Sequence, residues 1–222
     1  MTLQLTRTWL RPAVVVLAVV IGLFALGITI YAAHIRASAA ALIKSAREIR
    51  STADAQREIA AWKSRSGTQF WEESDHLGGD HNYDAHVDNV LLSRLRIVEP
   101  TNVTLGVTMN DGKLRSVTLM MFTGRLPSTT SGVWIQEWFD SRAVGDLRVN
   151  AKDRPWKATV EFSSLVPEVQ REEAFALNNK CFVRPGGCKS AEDVLPAVWK
   201  LGAPLSGYLP PRFSTLVPEH GY

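Results

Sequence analysis

The sequence has only two cysteines, and its longest apolar run has no charged residue. Because Cys181 and Cys188 are the only cysteines among 222 residues, a scaffold held by several disulfides is excluded. Common enzyme signatures are also missing, since the chain has no GxSxG, GxxxxGK[ST], GxGxxG or HExxH. Nucleophile-elbow, phosphate-loop and dinucleotide chemistry therefore have no support in the sequence. We expect no cofactor and no catalytic residue, and a binding protein rather than an enzyme.

The larger part of the chain also lacks an excess of positive charge, although the sequence pI is about 9.0. Residues 1–50 carry six Lys/Arg against Glu48 alone, whereas residues 51–222 carry 19 Lys/Arg against 21 Asp/Glu. The basic pI thus comes from the N-terminal segment. Because a protein that binds the phosphate backbone needs a basic surface, nucleic acid is not an expected partner.

Residues 12–33 form the apolar run, in which 18 of 22 residues are apolar and none is charged. As a helix this run would be about 33 Å long, enough to cross a hydrocarbon layer of about 30 Å. It is longer than the apolar region of a signal peptide, although the sequence Ala37-Ser38-Ala39 leaves cleavage open. We expect a basic tail at 1–11, a transmembrane helix at 12–33 and a stalk helix at 34–50.

Two features disagree about which side of the membrane the domain occupies. The flank after the run carries more Lys/Arg than the flank before it, which would place the domain in the cytoplasm. Cys181 and Cys188 surround a tight Arg-Pro-Gly-Gly turn, which predicts a disulfide and an oxidising compartment. Since large domains cross the membrane largely regardless of charge, we expect an extracytoplasmic, periplasmic domain on a signal anchor.

The chain after residue 50 predicts an α+β domain with helices packed on one antiparallel sheet. Residues 102–109 and 156–163 alternate between apolar and polar side chains, as amphipathic strands do. Further strands are expected at 68–73, 83–97, 113–123 and 142–149. The domain should occupy residues 51–201, followed by a Pro/Gly-rich tail at 202–222.

Local signals predict how these elements begin and turn. Ser51 with Asp54 and Ser190 with Asp193 have N-cap spacing, and Pro167 suits the start of another helix. The sequence Asn110-Asp111-Gly112 predicts a hairpin. A two-residue loop would pair Leu105 with Thr118, whereas a three-residue loop pairs Leu105 with Val117 and keeps apolar residues on one side. We therefore predict the three-residue loop.

Residues 72–88, EESDHLGGDHNYDAHVD, hold the candidate metal ligands His76, His81, His86 and Asp84. Imidazole and carboxylate groups suit zinc or iron. The adjacent glycines at 78 and 79 indicate a loop, and His81 and His86 have opposite parity if the strand already begins at His81. We predict that Asp84, His86 and Asp88 share a solvated face and that no metal site is preformed.

Trp134 and Trp138 lie on one face whether their segment is a strand or a helix. Such a pair is typical of a platform that stacks sugar rings, and equally of a packed core. We favour the core for both tryptophans.

The order of these elements resembles a type IV pilin or pseudopilin, with an apolar N-terminal helix, a stalk, an antiparallel sheet and a late cysteine loop. The resemblance implies an assembly subunit. That family has a Gly-Phe processing site and an early Glu within its apolar helix, whereas here the run is entered through Arg11-Pro12-Ala13 and the first acid is Glu48. The chain also resembles single-pass, membrane-anchored bacterial proteins with an α+β outer domain, which implies no activity.

The sequence thus predicts a membrane-anchored, extracytoplasmic binding or scaffolding domain. Its expected partners are the lipid bilayer and an envelope protein or glycan, and the oligomeric state stays open. The alternatives are a metal-dependent envelope enzyme that uses residues 72–88 and a pilin-like assembly subunit.

Overall fold

A computed structural model describes residues 5–65, 67–74, 79–124, 130–140, 148–153, 156–185 and 187–197. The chain divides into two compact units, Met1–His34 and Ile35–Tyr222. The predicted Pro/Gly-rich tail lies outside the described residues.

Helix α1, Leu5–Glu48, contains the apolar run and continues through the predicted stalk without a break. The apolar side chains between residues 14 and 30 are exposed, and the helix is long and apolar enough to cross a membrane. The prediction of a long apolar N-terminal helix is confirmed. Its end differs from the apolar run, because Leu42 and Ala46, and Ile49 directly after the helix, are fully buried in the second unit.

The described part of the second unit contains four short α-helices: α2 (Thr52–Trp62), α3 (Val90–Arg94), α4 (Glu168–Ala174) and α5 (Ala191–Val194). A 3₁₀ helix, Asn179–Phe182, lies between α4 and α5. The predicted caps are confirmed, since Ser51 Oγ accepts from Asp54 N at 3.2 Å and Ser190 Oγ accepts from Asp193 N at 3.1 Å. Pro167 directly precedes α4, as predicted.

Within the described residues, the sheet has seven strands in the order β1-β2-β3-β4-β5-β7-β6. Their bounds are β1 Gln69–Ser74, β2 Asp80–Asp88, β3 Thr101–Asn110, β4 Lys113–Thr123, β5 Ser131–Trp138, β6 Arg148–Asp153 and β7 Trp156–Ser163. All neighbours are antiparallel except β5 and β7, because the β6–β7 hairpin joins the sheet through its second strand. The predicted α+β class is confirmed, and the expectation of a wholly antiparallel sheet is corrected by this one parallel pair.

The predicted single strand over residues 83–97 is wrong. The strand β2 ends at Asp88, and helix α3 begins at Val90. Asn89 causes the change of direction: its Nδ2 donates to Glu99 O at 2.9 Å and to Phe182 O at 3.0 Å, and its Oδ1 accepts from Thr101 N at 2.9 Å. The strand predicted at 142–149 is β6, which begins later, and residues 141–147 lie outside the described residues.

The predicted three-residue loop of the β3–β4 hairpin is also wrong. Asn110 pairs with Lys113, so the loop is Asp111-Gly112. Both loop residues have positive φ, 48° and 72°, as a type I′ turn requires. A β-bulge that leaves Arg115 without a partner in the register then pairs Leu105 with Leu119. The bulge keeps apolar residues opposite one another, which is the result that the longer loop was expected to give.

One face of the sheet, which we call the inner face, forms the core with the helices. Leu105, Leu119, Ile135 and Val160 form one row across β3, β4, β5 and β7, and each is fully buried. Phe162 of β7 contacts Phe175 at the end of α4 edge-on, with ring centroids 5.5 Å apart. The apolar alternation of the strands therefore places the helical layer against this face.

A buried ion pair joins three elements of this layer. The Arg171 Nε of α4 lies 2.8 and 2.7 Å from the two carboxylate oxygens of Glu137 on the inner face of β5. The same guanidinium donates to the carbonyls of Ala46, Arg47 and Ile49 at the C-terminal end of α1. Burial raises the pKa of Glu137, and Arg171 opposes that rise. Arg171 thus satisfies helix-end carbonyls that lack intrahelical partners.

Candidate functional site

The opposite side of the sheet, which we call the outer face, carries polar and aromatic side chains in place of aliphatic ones. Three rows cross it: Asp88-Asn102-Phe122-Gly132-Lys157, His86-Thr104-Met120-Trp134-Thr159 and Trp71-Asp84-Gly106-Thr118-Gln136-Glu161. The charged and aromatic members of these rows are half-buried or exposed, and Trp71 is 52% exposed. The outer face is therefore accessible, unlike the inner face.

Strand β2 places three titratable side chains on this face. Ala85 and Val87 are buried on the inner face, so Asp84, His86 and Asp88 point to the other side, as predicted. Each of the three is half-buried. Partial burial is what shifts the pKa values of this row away from their ordinary ranges.

His86 is held by its neighbours on β1 and β2. Its Nε2 lies 3.0 Å from Gln69 Oε1, and its ring stacks on Trp71 with centroids 6.0 Å apart. Nε2 also lies 3.6 Å from Asp88 Oδ2. Burial lowers the pKa of His86 more than Asp88 raises it, and burial raises the pKa of Asp88 more than His86 lowers it.

Asp84 lies over Gly106 of the neighbouring strand. A Cβ added at Gly106 would lie 2.6 Å from Asp84 Oδ1, so the glycine makes room for the carboxyl group. Burial raises the pKa of Asp84 to about 6, with a further contribution from the negative charge of Glu73. A carboxyl group that titrates near neutral pH is typical of functional sites, and structural ion pairs can cause the same shift.

A cavity of about 70 Å³ lies at the end of the outer face, next to α3. Its walls come from the end of β2, the start of β3 and the end of β4, and include Asp88, Asn102 and Phe122. Phe122 keeps its place because Gly132 has no side chain: an added Cβ there would lie 2.4 Å from Phe122 Cδ1. Asp88 Oδ1 and Asn102 Oδ1 are both buried and have no hydrogen-bond partner among the described residues. Such atoms are few in native proteins, and each asks for an explanation.

The candidate metal ligands do not come together in the described part of the chain. His81 stacks on Tyr83, with centroids 6.4 Å apart, and lies on the other face of β2 from His86. The predicted opposite parity of His81 and His86 is therefore confirmed, and these two side chains cannot bind one ion. His76 lies outside the described residues. Among those that are described, no three His, Cys, Asp or Glu side chains are grouped as metal ligands.

Comparisons of the chain with protein-family models, with curated proteins and with solved structures found no match. The resemblance to pilins and to membrane-anchored bacterial proteins therefore rests on layout alone and stays a prediction.

The two tryptophans of β5 belong to the outer face, so the interpretation of both as core residues is wrong. Trp134 and Trp138 are half-buried, whereas Val133 and Ile135 of the opposite parity are fully buried under the helices. Trp134 Nε1 donates to Gln136 Oε1 at 3.3 Å. The sequence alone does not show which face of β5 points to the core, because Glu137 is charged and yet lies on the inner face. Its partner Arg171 is 34 positions away in the chain.

The predicted disulfide between Cys181 and Cys188 depends on the Cys181 side chain, which lies outside the described residues. The Cys188 side chain is buried. The disulfide stays a prediction, and so does the oxidising compartment inferred from it.

Proposed function

We propose that the protein is a single-pass, membrane-anchored binding protein whose α+β domain lies outside the cytoplasm and binds an envelope glycan on the outer face. The observation that carries this proposal is the accessible outer face, where the exposed Trp71 ring lies beside the half-buried Asp84 and His86. Aromatic rings stack on the apolar faces of sugars, and carboxylate and amide groups accept hydrogen bonds from their hydroxyls.

The composition of the outer face favours a glycan over a protein partner. The centre of a protein–protein interface is depleted of charged residues. The centre of the outer face instead contains Asp84, His86 and Gln136, with Trp71 at one side and Trp134 in the neighbouring row. Alternating flat rings and polar groups match the alternating apolar faces and hydroxyl rims of linked sugars.

Binding can be tested with the full-length protein in detergent micelles and soluble fragments of purified cell-wall glycan. We expect Trp71→Ala to weaken binding about tenfold or more. The reason is that the stacking of one ligand ring on an aromatic side chain contributes about 1–3 kcal/mol. The matched control is Val169→Ala on α4, an apolar side chain that is also exposed and does not belong to the outer face. Equal affinity of wild type and Trp71→Ala, or no binding by wild type, would contradict the proposal.

The side of the membrane is tested separately. The apolar helix supports an anchor, and the predicted disulfide supports the extracytoplasmic side. Fusions of a phosphatase that is active only outside the cytoplasm, placed after Thr123 and after Tyr222, should be active. Activity of a cytoplasm-dependent reporter at the same two positions would show that the charge count around the helix is the better guide.

A further inference from the structure

Helix α3 exposes both apolar and basic side chains. Leu91 and Leu95 are one helical turn apart and are 43% and 39% exposed, whereas Leu92 is buried in the core. Arg94 and Arg96, on either side of Leu95, are exposed as well. We call Leu91, Arg94, Leu95 and Arg96 the α3 patch. Its composition suits the surface of an anionic bilayer, where apolar side chains enter the acyl boundary and guanidinium groups meet lipid phosphates.

Arg96 occupies a backbone position that normally favours glycine. Its φ is 57°, in the left-handed region, directly after the C-cap of α3. Arg96 N donates to Ser93 O and Ile97 N donates to Leu92 O, both at 3.0 Å, which is the Schellman pattern of a helix end. Glycine would adopt this conformation without the strain that the Cβ of arginine brings. The chain thus has a cationic side chain where the backbone favours none, and strain of this kind points to a function.

The segments around the α3 patch add positive charge. Two of them meet at the start of α3, because Asn89 Nδ2 donates to Phe182 O at 3.0 Å. Residues 89–100 and 179–187 together contain four Lys/Arg against one Asp/Glu, although the chain after residue 50 is slightly acidic as a whole. Counting Asp88, which directly precedes them, leaves four positive side chains against two negative ones. These segments therefore attract an anionic surface.

The α3 patch lies at the end of the sheet opposite the β3–β4 hairpin. Helix α3 follows the end of β2, which pairs with the start of β3, whereas the hairpin follows the end of β3. Helix α2 begins at the hairpin, where Thr52 Oγ1 accepts from Leu114 N at 3.0 Å. Directly after α2, Lys63 Nζ lies 5.2 Å from the ring centroid of Phe70, and β1 begins beside the last residues of β2. Helix α2 therefore runs from the hairpin toward the α3 end.

Helix α1 enters the second unit from the α3 end. Three residues separate α1 from α2, and Ser45 Oγ donates to Glu58 Oε2 at 2.7 Å, so the two helices lie side by side and run in opposite directions. The second unit begins at Ile35, about 15 Å before Ser45 along the helix. The apolar run stops two residues earlier, at Ala33. A bilayer that holds the run is therefore joined through two residues to this end of the second unit.

We propose that the α3 patch lies on the surface of an anionic bilayer, with Leu91 and Leu95 in the acyl boundary and Arg94 and Arg96 at lipid phosphates. This inference rests on the proposed membrane anchor and does not depend on glycan binding. The anchor supplies the bilayer at a high effective concentration, so a patch too small to bind a membrane alone is sufficient.

The test uses the full-length protein in nanodiscs and NMR relaxation of its leucine and valine methyl groups. Discs of phosphatidylcholine are compared with discs that also contain phosphatidylglycerol, both with a small share of a lipid that carries a nitroxide on its headgroup. Relaxation of Leu91 and Leu95 should rise several-fold with phosphatidylglycerol and fall again in high salt. Leu165 and Val169, which are 79% and 70% exposed, should not respond. An acidic protein partner in place of lipid predicts no response at Leu91 and Leu95 either, and that result would overturn the proposal.

Variants separate a membrane contact from a structural role. Arg96→Gly removes the side chain together with the backbone strain, so the melting temperature in the discs should stay equal or rise. The response of the leucine methyl groups to phosphatidylglycerol should fall about fivefold, and Arg94→Gln should lower it to a similar extent. The matched control is Lys113→Gln, which removes an exposed positive charge at the hairpin end and should respond as wild type does.

Two kinds of failure can be told apart in this experiment. If Arg96→Gly and Arg94→Gln respond as wild type does, or if Lys113→Gln loses the response to the same extent, the contact of the α3 patch with lipid is wrong while the anchor stands. A full-length protein that does not enter the discs would overturn the anchor, and the proposal with it.

Discussion

The two faces of the sheet are made by the same strands, yet their carboxyl groups differ in burial and in ion pairing. On the inner face, Glu137 is almost fully buried and forms two short hydrogen bonds with Arg171. On the outer face, Asp84 and Asp88 are half-buried, and neither forms an ion pair with Lys or Arg among the described residues. The charged group of the inner face is thus neutralised within the fold, whereas these two outer-face carboxyl groups have no cationic Lys or Arg partner in the part of the chain that the structure describes.

The largest effect is expected from breaking the inner-face ion pair. Arg171→Met would leave Glu137 buried without a partner and expose the unsatisfied carbonyls at the end of α1. We expect the free energy of unfolding to fall by about 3–5 kcal/mol, measured by urea denaturation. Glu137→Gln keeps the contacts from Arg171 to α1 and should cost at least about 1 kcal/mol less. Equal losses in the two variants would show that the contacts with α1 do not contribute.

A second pair of variants compares one aromatic side chain from each face. Phe162 is fully buried on the inner face, and Phe162→Ala should lower the free energy of unfolding by about 3–5 kcal/mol. Trp71 is exposed on the outer face, and Trp71→Ala should cost less than about 1 kcal/mol. A large loss in Trp71→Ala would mean that the outer face is also part of the core.

The smallest effect concerns the pH dependence that Asp84 gives to stability. The folded pKa of about 6 lies above the ordinary value of 3.8, so the folded state holds a proton between these pH values that the unfolded state has lost. Stability therefore falls as pH rises from about 4 to 6, by at most about 3 kcal/mol. Asp84→Asn should remove this fall, and the difference between the two unfolding free energies should level off above pH 6.

A control variant separates this effect from the loss of one negative charge. Asp111→Asn removes an exposed carboxyl group in the β3–β4 turn, where Asn also tolerates positive φ. Its pH profile between 4 and 6 should follow that of the wild type. If Asp111→Asn flattens the profile as much as Asp84→Asn does, then long-range charge and not the burial of Asp84 causes the fall.

The inner face could be predicted from the sequence because alternation along a strand has a period of two. The strands β3 and β7 follow from that pattern within a residue at each end. The helix caps could also be predicted, because Ser51 and Ser190 act on residues only three positions away. These features depend on local spacing alone.

The features that could not be predicted depend on distant residues. Asn89 ends β2 through bonds to Glu99, Thr101 and Phe182, and the last of these lies 93 positions away. The only local signal was that Asn disfavours the interior of a strand. The bulge at Arg115 involves two aspartates, Asp80 and Asp140, that the sequence does not place beside it.

The candidate site was predicted in part. The face shared by Asp84, His86 and Asp88 follows from strand parity, whereas the cavity could not be found, because three strands and α3 must meet to form it. The same limit applied to Trp134 and Trp138. Their role depends on which face of β5 the helices cover. The helices cover the face that carries Glu137, because Arg171 on α4 binds its carboxylate.

The bonds from Arg171 to α1 have a consequence for synthesis on the ribosome. Arg171 and Ile49 are 122 positions apart, and chains grow at about 5–20 residues per second. The end of α1 therefore waits roughly 6–25 s after its own synthesis before the residue that binds its carbonyls is made. During that interval the carbonyls of Ala46, Arg47 and Ile49 lack their final partner from α4. Until then these carbonyls can bond only to water, so the end of α1 reaches its final structure only after α4 has been made.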